Sequence, residues 1–163
     1  MTTRPAVSPR HSPLATFPLD AACVTLDLAA TDGVGAIREL HGRLCASRPV
    51  RDPAQLLEAL LERQALGSTC VDQEIALPHA RTVVLDDFIW AIGRSRGGIR
   101  FDDDHRSVRL VVVVAAPAAA VQEYLQCTVG VARRLRNLSV RRRLLDATSG
   151  AEFAGIWNSA APG

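Results

Sequence analysis

Hydrophobic residues recur at two different spacings along this chain, and the switches between them mark its elements. Val24, Leu26 and Leu28 alternate with other positions and predict a first strand over 24–28. From 33 to 47 the spacing becomes helical: Val34, Ile37, Leu40 and Leu44 share a face, and Thr31 or Asp32 can cap the helix. His41 falls off that stripe and is expected at the surface. Asp52 and Pro53 form a helix start, a cap residue followed by proline at the first helical position. Leu56, Leu57, Leu60 and Leu61 then carry an apolar face to a stop at Gly67. Val71, Ile75 and Leu77 form a short apolar segment ended by Pro78. Residues 88–94 read as a strand, Gly97 and Gly98 as a break, and 108–116 as an apolar run rich in β-branched residues, the pattern of a strand buried on both faces. Pro117 closes that run. A helix over 118–136 puts Val121, Leu125, Val129, Ala132 and Leu135 on one side. A helix capped by Ser139 holds Leu144 and Leu145, and Ser149 with Glu152 makes the capping-box pattern of a last one running through Trp157.

Strands separated by helices of about ten or more residues predict an α/β fold, with a mixed, mainly parallel sheet sandwiched between helices on both faces. At 163 residues one domain suffices. Residues 1–15 contain Pro5, Ser8, Ser12 and Pro13 and no periodic apolar face, so a flexible tail is expected there, ahead of a domain over 16–158. The first fifteen residues lack the apolar run of a signal peptide. The longest apolar stretch, 110–116, is far short of the roughly 20 residues a membrane helix needs. No membrane insertion and a cytoplasmic location are expected.

Charge narrows the partners. The net charge is +2, and all 19 basic residues are arginine. Six of them, Arg133, Arg134, Arg136, Arg141, Arg142 and Arg143, form a local patch, but without interleaved aromatics the patch reads as a solvated helix face and nucleic acid is not an expected partner. Cys23, Cys45, Cys70 and Cys127 are widely separated, with no histidine at ligand spacing along the chain, so neither disulfide nor metal is expected. Asp102, Asp103, Asp104 and His105 are consecutive turn residues pointing in different directions and read as solvated. No cofactor is expected.

The chemistry concentrates between Arg63 and Arg81, around His79. Pro78 fixes its own φ near about −65° and biases Leu77 toward extended backbone, so His79 is expected on a stiff backbone at the end of a strand-like segment. Imidazole, with an ordinary pKa of about 6.5, offers a free ring nitrogen near neutral pH, and guanidinium groups match phosphate oxygens. His79 with Arg63 and Arg81 is a minimal phosphoryl-accepting set. Arg63, on the last turn of its helix, also suits the negative helix end.

The run Arg63, Gln64, Ala65, Leu66, Gly67, Ser68, Thr69, followed by Ile75, Ala76, Leu77, Pro78, His79, Ala80, Arg81, resembles the signature of the fructose/mannitol-type enzyme IIA domain of the phosphotransferase system, nearest its stand-alone nitrogen-regulatory branch. The similarity runs from about residue 17 to 157 and includes Phe101, Asp102 and the Ala116, Pro117 turn. The resemblance implies that His79 is phosphorylated and that Arg63 lies near the phosphate, with Arg81, Ser68, Thr69 and Tyr124 in support. It implies a histidine-phosphorylated carrier protein as donor, and a regulated protein target or a downstream phosphotransferase domain as recipient. Two departures stand out. Cys70 to Glu74 replace a stretch where the family usually has glycines, and Tyr124 with Leu125 stands where it commonly has a second histidine followed by leucine. A tyrosine hydroxyl can donate to a phosphate oxygen but cannot exchange a proton near neutral pH as imidazole does. A transfer-impaired binding module is therefore the alternative to a phosphocarrier.

Overall fold

A computed structural model describes residues 18–159, and the tail predicted over 1–15 lies outside them. After a single 3-10 turn, Ala21–Cys23, the elements run β1 (Val24–Thr25), α1 (Gly33–Ser47), α2 (Pro53–Ala65), β2 (Ile75–Ala76), β3 (His79–Thr82), β4 (Ile89–Ile99), β5 (Val108–Pro117), α3 (Val121–Arg136), α4 (Leu138–Asp146) and α5 (Gly150–Ser159). The sheet is mixed and mostly parallel: β1 pairs with β4, and β2 and β3 with β5, all in parallel, while β4 and β5 are antiparallel. Both alternating sets of side chains along β5 from Leu110 to Ala116 are buried, so helices cover both faces, as the apolar run predicts.

Local chemistry starts the first helices where the sequence says. The Asp32 carboxylate accepts from Gly35 N–H and that of Asp52 from Gln55 N–H, with Pro53 opening α2. Gly33 is required for docking, because a Cβ there would fall 2.4 Å from the Phe101 carbonyl oxygen. His41 is half-buried instead of exposed: its Nε2 bonds Pro53 O at 2.7 Å and ties α1 to the start of α2. Asn158 exchanges two hydrogen bonds with the backbone of Leu19, each of 2.9 Å, across 139 residues.

Further expectations are corrected. The first strand stops at Thr25, because Ala29 and Ala30 N–H turn to the Glu39 carboxylate and not to a strand partner. The pair Gly97, Gly98 does not break the chain: β4 runs through it to Ile99, and Gly98 takes a left-handed φ of +76° within a register shift. The buried face of α3 is Cys127, Val131, Arg134 and Leu135, leaving Val121 44%, Leu125 55% and Val129 55% exposed. Arg134 draws the helix that way by donating to Trp157 O at 2.7 Å and lying over the indole. Asn137, not Ser139, caps α4, accepting from the N–H groups of Ser139 and Val140. At α5, Ser149 accepts from Glu152 N–H, whereas the Glu152 carboxylate passes Ser149 and takes the N–H and hydroxyl of Thr148.

Candidate active site

β2 and β3 are one strand interrupted at Leu77 and Pro78. Both pair with β5 in the same direction, Ile75 opposite Leu110 and His79 opposite Val114. Proline supplies no N–H, so the ladder lapses there while Pro78 O still accepts from Val114 N–H at 3.0 Å. His79 therefore opens a strand, where the sequence suggested that it ends one. Strand alternation turns Ala80 and Thr82 into the core and His79 and Arg81 together to the other face.

His79 is half-buried. Its Nδ1 lies 2.6 Å from Leu77 O, an atom that can only accept, so Nδ1 carries the proton and Nε2 keeps the free lone pair. Burial pushes the imidazole pKa below its ordinary value; the Leu77 carbonyl works against this and the Arg63 charge adds to it. The ring is thus neutral at neutral pH, with a lone pair available on Nε2.

Tyr124, on the first turn of α3, faces this ring at 5.5 Å between centroids, tilted by 51°. The Arg81 guanidinium lies 5.7 Å from the centre of the same tyrosine ring, and its Nη1 donates to Ala118 O at 2.9 Å. Arg63, on the last turn of α2, donates to Gly67 O at 3.2 Å, and its charge reaches both His79 and Tyr124. Gly67 has a φ of +154°, open to glycine and strained for other residues, and this turn releases the chain from α2 into the loop beside the site.

The structure thus groups His79, Arg63, Arg81 and Tyr124. The other two predicted residues have side chains already engaged. Ser68 Oγ donates to Asp102 Oδ2 at 2.6 Å, and the buried Thr69 hydroxyl donates to Gln64 Oε1 at 2.6 Å. What they contribute is the loop: Thr69 O accepts from Leu77 N–H at 2.9 Å, the residue whose own carbonyl holds His79. Gln64 and Asp102 are positioning groups that sequence reasoning did not assign. Gln64 lies in the signature run itself, which was a usable signal. Burial opposes ionisation of Asp102, but hydrogen bonds from Ser68, His105 and the Asp104 N–H outweigh it and hold the carboxyl at about 2.

The arginine patch is divided by the fold. Arg134 is buried, and Arg141 forms ion pairs of 2.7 and 3.1 Å with Asp72 and Glu74. Among the described residues, no helix is long and apolar enough to cross a membrane.

Comparison with known proteins gives one consistent answer. The family model of the phosphoenolpyruvate-dependent sugar phosphotransferase system, EIIA 2, matches residues 17–159. The fructose-specific EIIA component of Haloferax volcanii is 35% identical over 116 residues, covering 71% of this chain and 75% of that protein. The crystal structure of the nitrogen regulatory protein IIA-Ntr from Neisseria meningitidis superimposes with a TM-score of 0.75 at 26% identity, covering 85% of this chain and 94% of that one. The Escherichia coli enzyme IIAMTL in its complex with phosphorylated enzyme IIBMTL gives a TM-score of 0.73 at 25% identity, covering 87% and 98%. The chain belongs to the type-2 enzyme IIA family of the phosphoenolpyruvate-dependent phosphotransferase system.

Proposed function

We propose that this chain is a working phosphocarrier acting in the cytoplasm in a regulatory, nitrogen-type role. His79 takes a phosphoryl group from a histidine-phosphorylated carrier protein and holds it as a signal to a protein target or passes it to a downstream phosphotransferase domain. The observation that carries this reading is the His79 Nδ1–H bond to Leu77 O, which leaves Nε2 as the nucleophile. The donor's nitrogen–phosphorus bond breaks as Nε2–phosphorus forms, and the donor imidazole departs with the bonding electrons. The ring left on His79 is cationic, with its Nδ1 proton still held by the carbonyl. Such transfer is mainly positioning and charge stabilisation, and Arg63 and Arg81 are the cations at hand.

The wild-type chain, incubated with phosphoenolpyruvate and the two upstream carrier proteins, is expected to gain one acid-labile phosphate by intact mass, and His79→Ala to gain none while remaining folded. Labelling that persists in the Ala variant moves the site elsewhere.

One observation favours a second reading, a transfer-impaired module acting by contact: Tyr124 faces His79 where the family commonly has histidine. Two substitutions separate the readings. In a working carrier whose tyrosine hydroxyl bonds the phosphate, Tyr124→Phe slows labelling by about 1.5 to 3 kcal/mol, the worth of a hydrogen bond to a charged acceptor. In an impaired module the wild type labels poorly, Phe changes nothing and Tyr124→His restores the rate.

A further inference from the structure

The loop that leaves Gly67 carries a second constellation, which the phosphocarrier reading does not use. Cys70 and Asp102 are 32 residues apart in the chain, yet the Cys70 thiol, an Asp102 carboxylate oxygen and a His105 ring nitrogen all lie within 4.8 Å of one another. Cys70 Sγ is 3.7 Å from Asp102 Oδ2, and His105 Nδ1 is 2.7 Å from Asp102 Oδ1. All three side chains are half-buried. The expectation of no metal rested on the spacing of the cysteines and on reading Asp102 to His105 as solvated turn residues, and this grouping arises only across the fold.

We propose that Cys70, Asp102 and His105 are a binding site for a divalent ion of the zinc class. Sulfur, nitrogen and oxygen donors are each ordinary zinc ligands, whereas magnesium and calcium take oxygen shells. A tetrahedral ion with bonds of about 2.0 to 2.3 Å spaces its ligand atoms by roughly 3.3 to 3.7 Å, so the observed separations need only small side-chain adjustments. Three protein ligands leave the fourth position open to water, and Ser68 Oγ, 2.6 Å from Asp102 Oδ2 and 3.5 Å from His105 Nδ1, lies beside these ligands.

The frame is already fixed. Asp102 Oδ1 accepts from the N–H groups of Asp104 and His105, at 3.0 and 2.9 Å, and the backbone of Cys70 is bridged to Ala76. On binding, the Cys70 S–H bond breaks, its proton leaves to solvent and a sulfur–metal bond forms. His105 joins through Nδ1: its hydrogen bond to Asp102 Oδ1 breaks and its proton passes by way of solvent to Nε2, so that the ligand is neutral imidazole. The thiolate and carboxylate then balance the charge of the ion. Cys70 is also one of the positions at which this chain departs from the glycines its family usually carries.

A rival exists on α1, where Cys45 Sγ lies 3.4 Å from His41 Nε2, but among the described residues no third ligand joins the pair. It serves as the control. The full chain, with any affinity tag removed, is titrated with Zn²⁺ and, for a spectroscopic signature, with Co²⁺. One equivalent of Co²⁺ is expected, with thiolate-to-cobalt charge-transfer absorption. Cys70→Ser should abolish that absorption, and Cys70→Ser and His105→Ala should each weaken Zn²⁺ affinity by more than the roughly 10- to 100-fold that loss of a supporting partner costs. His41→Ala should change neither. Failure to bind stoichiometrically, absorption that survives Cys70→Ser, or loss of binding in His41→Ala overturns the proposal. Circular dichroism and melting of the metal-free variants verify that each is folded.

Discussion

Arg94 and the pair Arg63 and Arg81 carry the same guanidinium group into opposite circumstances. Arg94, 1% exposed on β4, donates to Leu26 O at 2.9 Å and to the carbonyls of Leu144, Leu145 and Ala147 at 3.3, 3.0 and 2.6 Å. It thereby closes the C-terminal end of α4 and pins it to the sheet. Burial lowers its pKa, and the Asp27 carboxylate at 3.9 Å partly compensates. Arg63 and Arg81 each hold one backbone carbonyl and lie toward the same tyrosine ring. A cation whose donors are consumed by the fold stabilises structure, whereas a cation anchored at one point keeps donors for an incoming anion.

The largest effect that would break this contrast is on stability. Arg94→Ala leaves several buried carbonyls without a donor and is expected to cost about 3 to 5 kcal/mol, read by chemical denaturation, while labelling per folded molecule stays near the wild-type rate. A loss under about 1 kcal/mol would mean that water replaces the guanidinium and that the closed node is ordinary surface.

Next comes Arg63→Ala. It should slow phosphorylation by about ten- to a thousandfold, bounded above by the roughly 2.7 to 4 kcal/mol that a donor aimed at developing charge supplies, and Arg63→Lys should recover only part. Wild-type labelling with a lowered melting temperature would make Arg63 another structural arginine.

The smallest effect concerns pH. Burial and Arg63 both lower the His79 pKa, so the labelling rate should stay flat through neutrality and decline only below the ordinary imidazole value of about 6.5. Removing the cation removes one of the lowering influences, so in Arg63→Ala the midpoint should move up toward that value. A midpoint that does not move would mean the Arg63 charge is screened from the ring.

Much of this was legible where the cause is local. Asp52 with Pro53 determines a helix start whatever lies around it, and the apolar run into Pro117 fits only a strand covered on both sides. His79 and Arg63 stood out through chemistry and motif. What could not be read depends on contacts across the chain. α3 offers two apolar stripes, and Arg134 meeting Trp157 decides between them. Asn137 and Ser139 are both competent caps two positions apart, and the geometry that brings Asn137 Oδ1 to two N–H groups appears only once the turn after α3 exists. Ser68 and Thr69 looked like phosphate donors because their partners, Asp102 and Gln64, are invisible to a reading of the motif residue by residue. Cys70 has no ligand at the right spacing in sequence and His105 belongs to a turn that reads as solvated, so their approach is visible only across the fold.

The paired hydrogen bonds between Leu19 and Asn158 make the domain a nearly closed ring of chain. The two ends of the described region leave the surface at one place, so joining them by a short linker and cutting elsewhere should preserve the sheet. An exposed bend such as that at Asp86 and Asp87 is the suitable cut, since both residues are exposed and lie outside the site loop. By the same geometry, the domain can be spliced into another polypeptide as a side loop without stretching its own strands.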